Sequence, residues 1–216
     1  MRVAQLDTAA QAFGDPAADI WSGITANKVS LVPAPVAMQT SRYVMSKWRD
    51  GQFGKVSSVG VQVLHNGEEL AIRLEWENPQ ANLQRFENND FPDGAAILFP
   101  LTRHAPLFMG APGEPVDIWH WRADRPDTAH GNLATGIGTS SMVNEDAAVT
   151  RSLYRQGRWA VVYRRALSVQ TPAAQTVQFT LGEPIRMAFA VWDGGNAERG
   201  GLKAFSPQWL EVTPQS

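Results

Sequence analysis

Apolar and polar residues alternate along much of this chain. Residues 58–65 read Ser-Val-Gly-Val-Gln-Val-Leu-His, and residues 70–76 read Leu-Ala-Ile-Arg-Leu-Glu-Trp. A period of two marks a strand with one face in a core, and β-branched and aromatic residues favour extended backbone. Asn66-Gly67 between the two runs is a strong hairpin signal, because both residues tolerate the positive φ of tight turns. The same pattern predicts strands at about Lys28 to Pro33, Ala95 to Pro100, Pro115 to Arg122, Arg158 to Leu167, Thr176 to Leu181, Ile185 to Trp192 and Gln208 to Val212. That makes about nine strands.

Turn-rich segments separate these runs, among them Glu87-Asn88-Asn89-Asp90-Phe91-Pro92-Asp93-Gly94 and Asp193-Gly194-Gly195-Asn196. No helical period lasts long enough for more than a short helix. The expected fold is therefore all-β, an antiparallel β-sandwich with long loops and at most short helices. Ala123 to Ser152 has few large apolar residues and reads as a long loop. No linker or internal repeat divides the chain, so residues 1–216 are expected to form a single domain.

Composition narrows the function classes. The net charge of -2, from 19 basic and 21 acidic residues without a run of one sign, argues against nucleic acid or an anionic lipid surface as partner. The longest apolar stretches, Ala95 to Leu101 and Met187 to Trp192, are far shorter than the roughly 20 residues of a membrane-spanning helix. The Met-Arg-Val-Ala-Gln-Leu-Asp start lacks the apolar segment of a signal peptide, which implies a mature or shortened form or export with a partner. With no cysteine, the chain offers no disulfide, no iron-sulfur ligand, no thiolate zinc site and no covalent c-type haem attachment. It also lacks a glycine-rich nucleotide fingerprint and a Gly-x-Ser-x-Gly nucleophile elbow.

Residues 106–121 read Pro-Leu-Phe-Met-Gly-Ala-Pro-Gly-Glu-Pro-Val-Asp-Ile-Trp-His-Trp. The prolines and glycines fix the backbone around Met109, so its thioether can be held in one direction. Such a sulfur is soft, never protonated, and suited to a metal; filling a gap in a core is its commoner use. Lys203 follows Gly200-Gly201-Leu202 and precedes Ala204-Phe205-Ser206, an apolar setting for a lysine that otherwise would be an ordinary solvated one. Trp119 and Trp121 share one strand face and Ile118 and His120 the other, with the inner face undecided. Trp76, Trp159 and Trp192 are expected in the core. Of the scattered His65, His104, His120 and His130, His120 is the one rival metal ligand, being close to Met109 in sequence. Asp90/Asp93 and Asp193/Asn196/Glu198 lack calcium-loop spacing and read as turn chemistry.

Several of these blocks, in order, resemble the gamma subunits of the ethylbenzene dehydrogenase and dimethyl sulfide dehydrogenase family, which also includes chlorate and selenate reductase gamma subunits. They are Val63-Leu64-His65-Asn66-Gly67-Glu68-Glu69, Leu74-Glu75-Trp76, Asp90-Phe91-Pro92-Asp93-Gly94, Met109-Gly110 through Trp121, Gly157-Arg158-Trp159, Phe189-Ala190-Val191-Trp192-Asp193-Gly194 and Gly200 through Ser206. The resemblance implies a non-covalent b-type haem with Met109 and Lys203 as axial ligands. It further implies a non-catalytic, periplasmic electron-transfer subunit. Its implied partners are a molybdenum-containing alpha subunit, an iron-sulfur beta subunit and a soluble cytochrome. The alternative is a haem-free β-sandwich module that binds carbohydrate or another small ligand through exposed Trp and Tyr rings.

Overall fold

A computed structural model of the chain describes residues 2–5, 13–49, 51–84 and 90–215. The described strands are β1 (Arg2–Gln5), β2 (Asn27–Ser30), β3 (Val32–Pro33), β4 (Ser58–His65), β5 (Glu69–Glu77), β6 (Gly94–Pro100), β7 (Val116–Arg122), β8 (Arg125–Ala134), β9 (Ser141–Arg155), β10 (Arg158–Ala166), β11 (Ile185–Trp192), β12 (Ala204–Phe205) and β13 (Leu210–Pro214). Helices are short. α1 (Arg42–Lys47) starts at Ser41, whose hydroxyl accepts a hydrogen bond from the Val44 N–H, and 3-10 turns occupy Asp19–Gly23, Val36–Met38 and Gly194–Asn196.

The strands form a two-layer sandwich. One layer contains β4, β5 and β10; the other contains β7, β6 and β11, extended by β12 and β3. The β8–β9 hairpin joins the layers along one side, because β9 pairs with β8 at one end and with β10 at the other. On the other side β13 pairs with both β11 and β1, and β1 pairs in parallel with β4, so the hydrogen-bonded circuit closes. Closure protects edges that would otherwise present unpaired backbone groups.

Period two decides what lies between the layers. Val61, Val63, Leu70, Ile72, Leu74, Val161 and Tyr163 from one layer meet Ile97, Phe99, Trp119, Trp121, Met187, Phe189 and Val191 from the other. Trp76, Trp121 and Trp159 form a cluster with ring centroids 5.1 to 6.4 Å apart. Edge-to-face and offset contacts of this kind add about 1 kcal/mol per pair to their burial. The face question is answered: Trp119 and Trp121 point into the core, and Ile118 and His120 point out of the sandwich.

Several expectations need correction. Ala123 to Ser152 is not a loop but most of the β8–β9 hairpin. Its inward positions are Ala129, Ala147 and Ala148, because the tryptophans fill the adjoining core and leave room only for methyl groups. Thr176 to Leu181 is not a strand. Side chains replace the ladder there: Asp117 accepts from Thr176 Oγ1 and the Val177 N–H, and Arg165 donates to Thr176 Oγ1 and the Val177 carbonyl. Lys28 to Pro33 is split into β2 on one layer and β3 on the other, since Leu31 turns inward between them and its N–H bonds to Ser57. Trp192 lies not in the core between the layers but on the outer face of β11. Of the acidic turn at 87–94, residues 87–89 lie outside the described residues.

Asp93 links three regions from a fully buried position. One oxygen accepts from the Asn82 N–H and Trp159 Nε1; the other accepts from Asn82 Nδ2 and the Gly194 N–H. Asp93→Ala would strand these donors, and equilibrium urea unfolding should show a loss of about 3 to 5 kcal/mol in stability.

Candidate functional site

The outer face of β7, β6 and β11 is lowest over β6 and β11, where Gly94, Ala96, Ala188 and Ala190 stand opposite large inward side chains. Register sets three rows across the strands: Arg122, Gly94 and Trp192; His120, Ala96 and Ala190; Ile118, Leu98 and Ala188. At ordinary strand spacing this floor measures roughly 10 by 14 Å. Gly94 is the tightest point, since a Cβ there would meet the Trp121 carbonyl at 3.3 Å and the rings of His120 and Trp192 at 3.5 Å.

Loops rise around the floor to enclose a cavity of about 580 Å³. The β6–β7 connection brings Leu107, Phe108 and Met109 from one end of the strands. The β11–β12 connection brings Arg199 and Lys203 from the other, and residues 34–40 with Gly138 close a side. Met109 and Lys203, far apart in sequence, therefore line one cavity and approach it from opposite ends of the same strands.

Met109 is held by its backbone. Its φ is 65°, a left-handed value that costs a methionine on the order of 1 kcal/mol. Its N–H donates to Leu107, its carbonyl accepts from the Gly136 N–H at 2.7 Å, and Gly110 donates to Pro106. Gly110 is obligatory, because at φ 72° a Cβ would lie 2.6 Å from the Glu114 carbonyl and 2.9 Å from that of Ala134. The Met109 side chain packs on the cluster of Ala96, Val116, Ile118 and Ala190.

Lys203 owes its direction to alternation. Leu202 and Ala204 are buried on either side of it, so Lys203 and Phe205 turn toward the cavity. Its carbonyl accepts from the Ala34 N–H, and Gln39 Nε2 donates to the Gly201 carbonyl. The ammonium nitrogen lies 5.0 Å from the Trp192 ring centroid, and no carboxylate among the described residues bridges to it. Burial lowers its pKa from the usual 10.5 to about 8. The Trp192 indole N–H donates to the Gly200 carbonyl and fixes the ring between Lys203 and His120, whose own ring is 4.9 Å away.

His120 faces the same cavity from the middle row. Burial above all, then the charges of Lys203, Arg122 and His130, push its pKa down to about 4, so the imidazole is neutral at pH 7. His130 sits across the β7–β8 ladder from it, with Nδ1 3.0 Å from Met142 Sδ; His65 is buried on β4, in the other layer. His104 lies on the exposed β6–β7 connection. Among the described residues no group of three metal-binding side chains converges. The acidic turn at 193–198 is structural: Glu198 accepts from the N–H groups of Gly54 and Asp193 and from Asn196 Nδ2. Two features escaped the sequence reading, the small-residue floor and Arg199. The floor's signal is Gly or Ala at every second place, Gly94 and Ala96, Ala188 and Ala190.

The chain is a β-sandwich with an apolar cavity on one outer face. The solved structure of a family 9 carbohydrate binding module from Caldicellulosiruptor kristjanssonii, in complex with glucose, shares this fold with a TM-score of 0.54 at 11% identity, over 100% of this chain and 95% of the other. The fold is all that this likeness carries. Trp119 and Trp121 are buried in the core and present no ring to a sugar. The sequence profile of the ethylbenzene dehydrogenase family matches residues 18–150 and 131–204. The chain belongs to that family, in its gamma-subunit group. It is 36% identical over 169 residues to the chlorate reductase gamma subunit of Ideonella dechloratans, covering 74% of this chain and 69% of that protein. It is 30% identical to the dimethylsulfide dehydrogenase gamma subunit of Rhodovulum sulfidophilum, covering 94% and 76%. It is also 30% identical to a provisionally named respiratory nitrate reductase heme subunit of Haloferax mediterranei, covering 90% of this chain and 66% of that one.

The lowered pKa of Lys203 has a measurable consequence. Between about 8 and 10.5 the unfolded chain holds a proton that the folded chain has released, so this group destabilises the fold below pH 8 and stops doing so as pH rises through that window. Lys203→Met should therefore raise the stability of the ligand-free protein at pH 7. In urea unfolding the gain should shrink as pH rises from about 8 to 10.

Proposed function

We propose that this chain is a non-catalytic electron-transfer subunit carrying one non-covalent b-type haem, with Met109 and Lys203 as its axial ligands. The observation that carries the reading is the convergence of Met109 and Lys203 on one apolar cavity, in a chain whose relatives include a heme subunit and two gamma subunits. The residues present suit the group. Gly94, Ala96 and Ala190 leave room over the strands for the edge of a flat ring, and Leu98, Phe108, Ile118 and Phe205 supply an apolar lining. The lining offers the thioethers of Met38 and Met109, the Lys203 amine and the His120 imidazole, of which Met109 and Lys203 are the pair this reading takes, with no cysteine for covalent attachment.

A bound haem supplies a one-electron ferric/ferrous couple. What the chain does is hold it. Met109 offers a soft sulfur that stays unprotonated at any biological pH and favours the reduced metal. Lys203 binds only as the free amine. From an ordinary pKa near 10.4, losing the proton at pH 7 costs roughly 4.6 kcal/mol. From about 8 it costs about 1.4 kcal/mol. The surrounding apolar wall thus does most of the work of preparing the lysine as a ligand. His120, neutral and on the floor, faces the cavity without being brought in on a loop.

In the assembly this reading implies, the chain relays electrons between the iron-sulfur subunit of a molybdenum oxidoreductase and a soluble cytochrome in the periplasm. The support is the family membership and the gamma-subunit relatives. No described helix is long and apolar enough to cross a membrane.

Haemin added to the purified chain should give a sharp Soret band and a low-spin spectrum, with the pigment released intact by acid acetone. Met109→Leu and Lys203→Met should each abolish the low-spin form, while His120→Ala should keep it. Acidification should release Lys203 before Met109, since only the amine takes up a proton. A protein that stays colourless with haemin refutes the proposal; loss of the native spectrum in His120→Ala alone refutes the ligand assignment.

A further inference from the structure

We infer that the end of the cavity at Arg199 and Arg122 is a carboxylate-binding subsite, which fixes how an apolar ligand with an anionic edge lies in the cavity. This rests on the haem reading, under which the anionic edge is the pair of carboxylates of protoporphyrin.

Charge in the cavity is segregated. At the Met109 end the lining is uncharged: Leu98, Leu107, Phe108, Ile118 and Phe205, with Asn132 beside Ile118. At the other end stand Arg122, Arg199 and Lys203, beside His120 in the middle row. Glu198 is the one carboxylate of the described lining, and it is 1% exposed with both oxygens occupied by the Gly54 and Asp193 N–H groups and Asn196 Nδ2. It holds the loop together and pairs with neither arginine; Arg122 is bridged to Asp124 instead, and Arg199 has no carboxylate partner among the described residues.

Arg199 is the better anchor. Its guanidinium carbon lies 4.4 Å from the Phe91 ring centroid, and Nη1 donates to the Ala197 carbonyl at 2.8 Å. Stacking fixes the plane of the fork and the carbonyl takes one side of it, while no carboxylate among the described residues pairs with it. A planar fork with donors to spare is the geometry that binds a carboxylate through two parallel hydrogen bonds. Arg122 is already bridged to Asp124, through Nε at 2.9 Å and Nη2 at 2.6 Å, and keeps Nη1 for a second, weaker contact. Lys203 lies at the same end but must be uncharged to bind metal, so it is not the counter-ion. The arginines therefore supply the positive charge, and Lys203 supplies the lone pair.

The test compares haemin with its dimethyl ester, which keeps the ring and iron but loses both charges. Each is titrated into the haem-free full-length chain in the same mild detergent. Wild type should bind haemin roughly tenfold or more tightly than the ester. Arg199→Gln should erase most of that preference by weakening haemin alone, Arg199→Lys should restore part of it, and Arg122→Gln should have the smaller effect. Added salt should weaken haemin binding in wild type more than in Arg199→Gln. Equal affinity of wild type for haemin and ester overturns the inference while leaving the haem reading standing. So does an Arg199→Gln variant that weakens both ligands alike, which marks a packing role. A wild-type chain that binds neither form refutes both.

Discussion

Three neighbouring strands, β6, β7 and β11, fill the core with the large side chains of one face, and the cavity exists because β6 and β11 place Gly94, Ala96, Ala188 and Ala190 on the other. The inner face fills the space between the layers with Trp119, Trp121, Phe99, Ile97, Met187 and Phe189. Burial of each such side chain contributes about 2 kcal/mol, so this face is where the stability of the sandwich resides. The outer face of Gly94, Ala96, Ala188 and Ala190 then carries little of the folding energy. Its cavity is free to be shaped by what it binds.

The walls of that cavity depend on loops, and buried polar groups hold the loops still. Asp93 ties residue 82, β10 and the start of the 194–203 segment together, and Glu198 ties the same segment to Gly54. A carboxylate in these positions satisfies backbone N–H groups that a loop cannot pair with a ladder. Asp117 and Arg165 perform the same task for residues 176–177, inside the sandwich. Burial raises the pKa of Asp117 and lowers that of Arg165 to about 10, each against the pull of the other's charge. Arg165 therefore stays charged at neutral pH, and the hydrogen bonds it makes to the 176–177 segment are charge-assisted.

Two features of the cavity work against local stability. Met109 occupies a left-handed conformation, and Lys203 is drawn into a wall that lowers its pKa. The backbone conformation of the one and the buried charge of the other each cost the ligand-free fold, although the Met109 side chain packs on the outer cluster. On the proposed haem reading both serve a thioether and an amine that bind metal: a sulfur aimed by a rigid turn, and an amine whose proton is already loosely held. His120 is held neutral by the same wall, so acidification should remove stability as pH falls from the ordinary histidine range toward 4, where the folded protein resists protonation and the unfolded chain does not.

Much of the fold was legible from the chain itself, because period two and turn residues are local signals. The β4–β5 hairpin lies where Asn66-Gly67 put it, and β6, β7, β10 and β11 lie within a residue or so of their expected ends. Failure came where neighbours far away in sequence set the rules. Ala129, Ala147 and Ala148 are small because tryptophans from other strands fill their space, so β8 and β9 carried no hydrophobic pattern to read. Residues 176–181 had a strand's composition, but Asp117 and Arg165 hold their backbone in place of a ladder partner. Met109 and Lys203 were named from motif and resemblance, yet nothing local links a turn before β7 to a loop before β12. By itself the sequence determined the alternation, the turns, the absence of any thiol and the candidate pair. Only the tertiary structure decided which face of β7 looks outward and that the pair shares one cavity, because both depend on how two sheets pack, and packing is a property of residues distant along the chain.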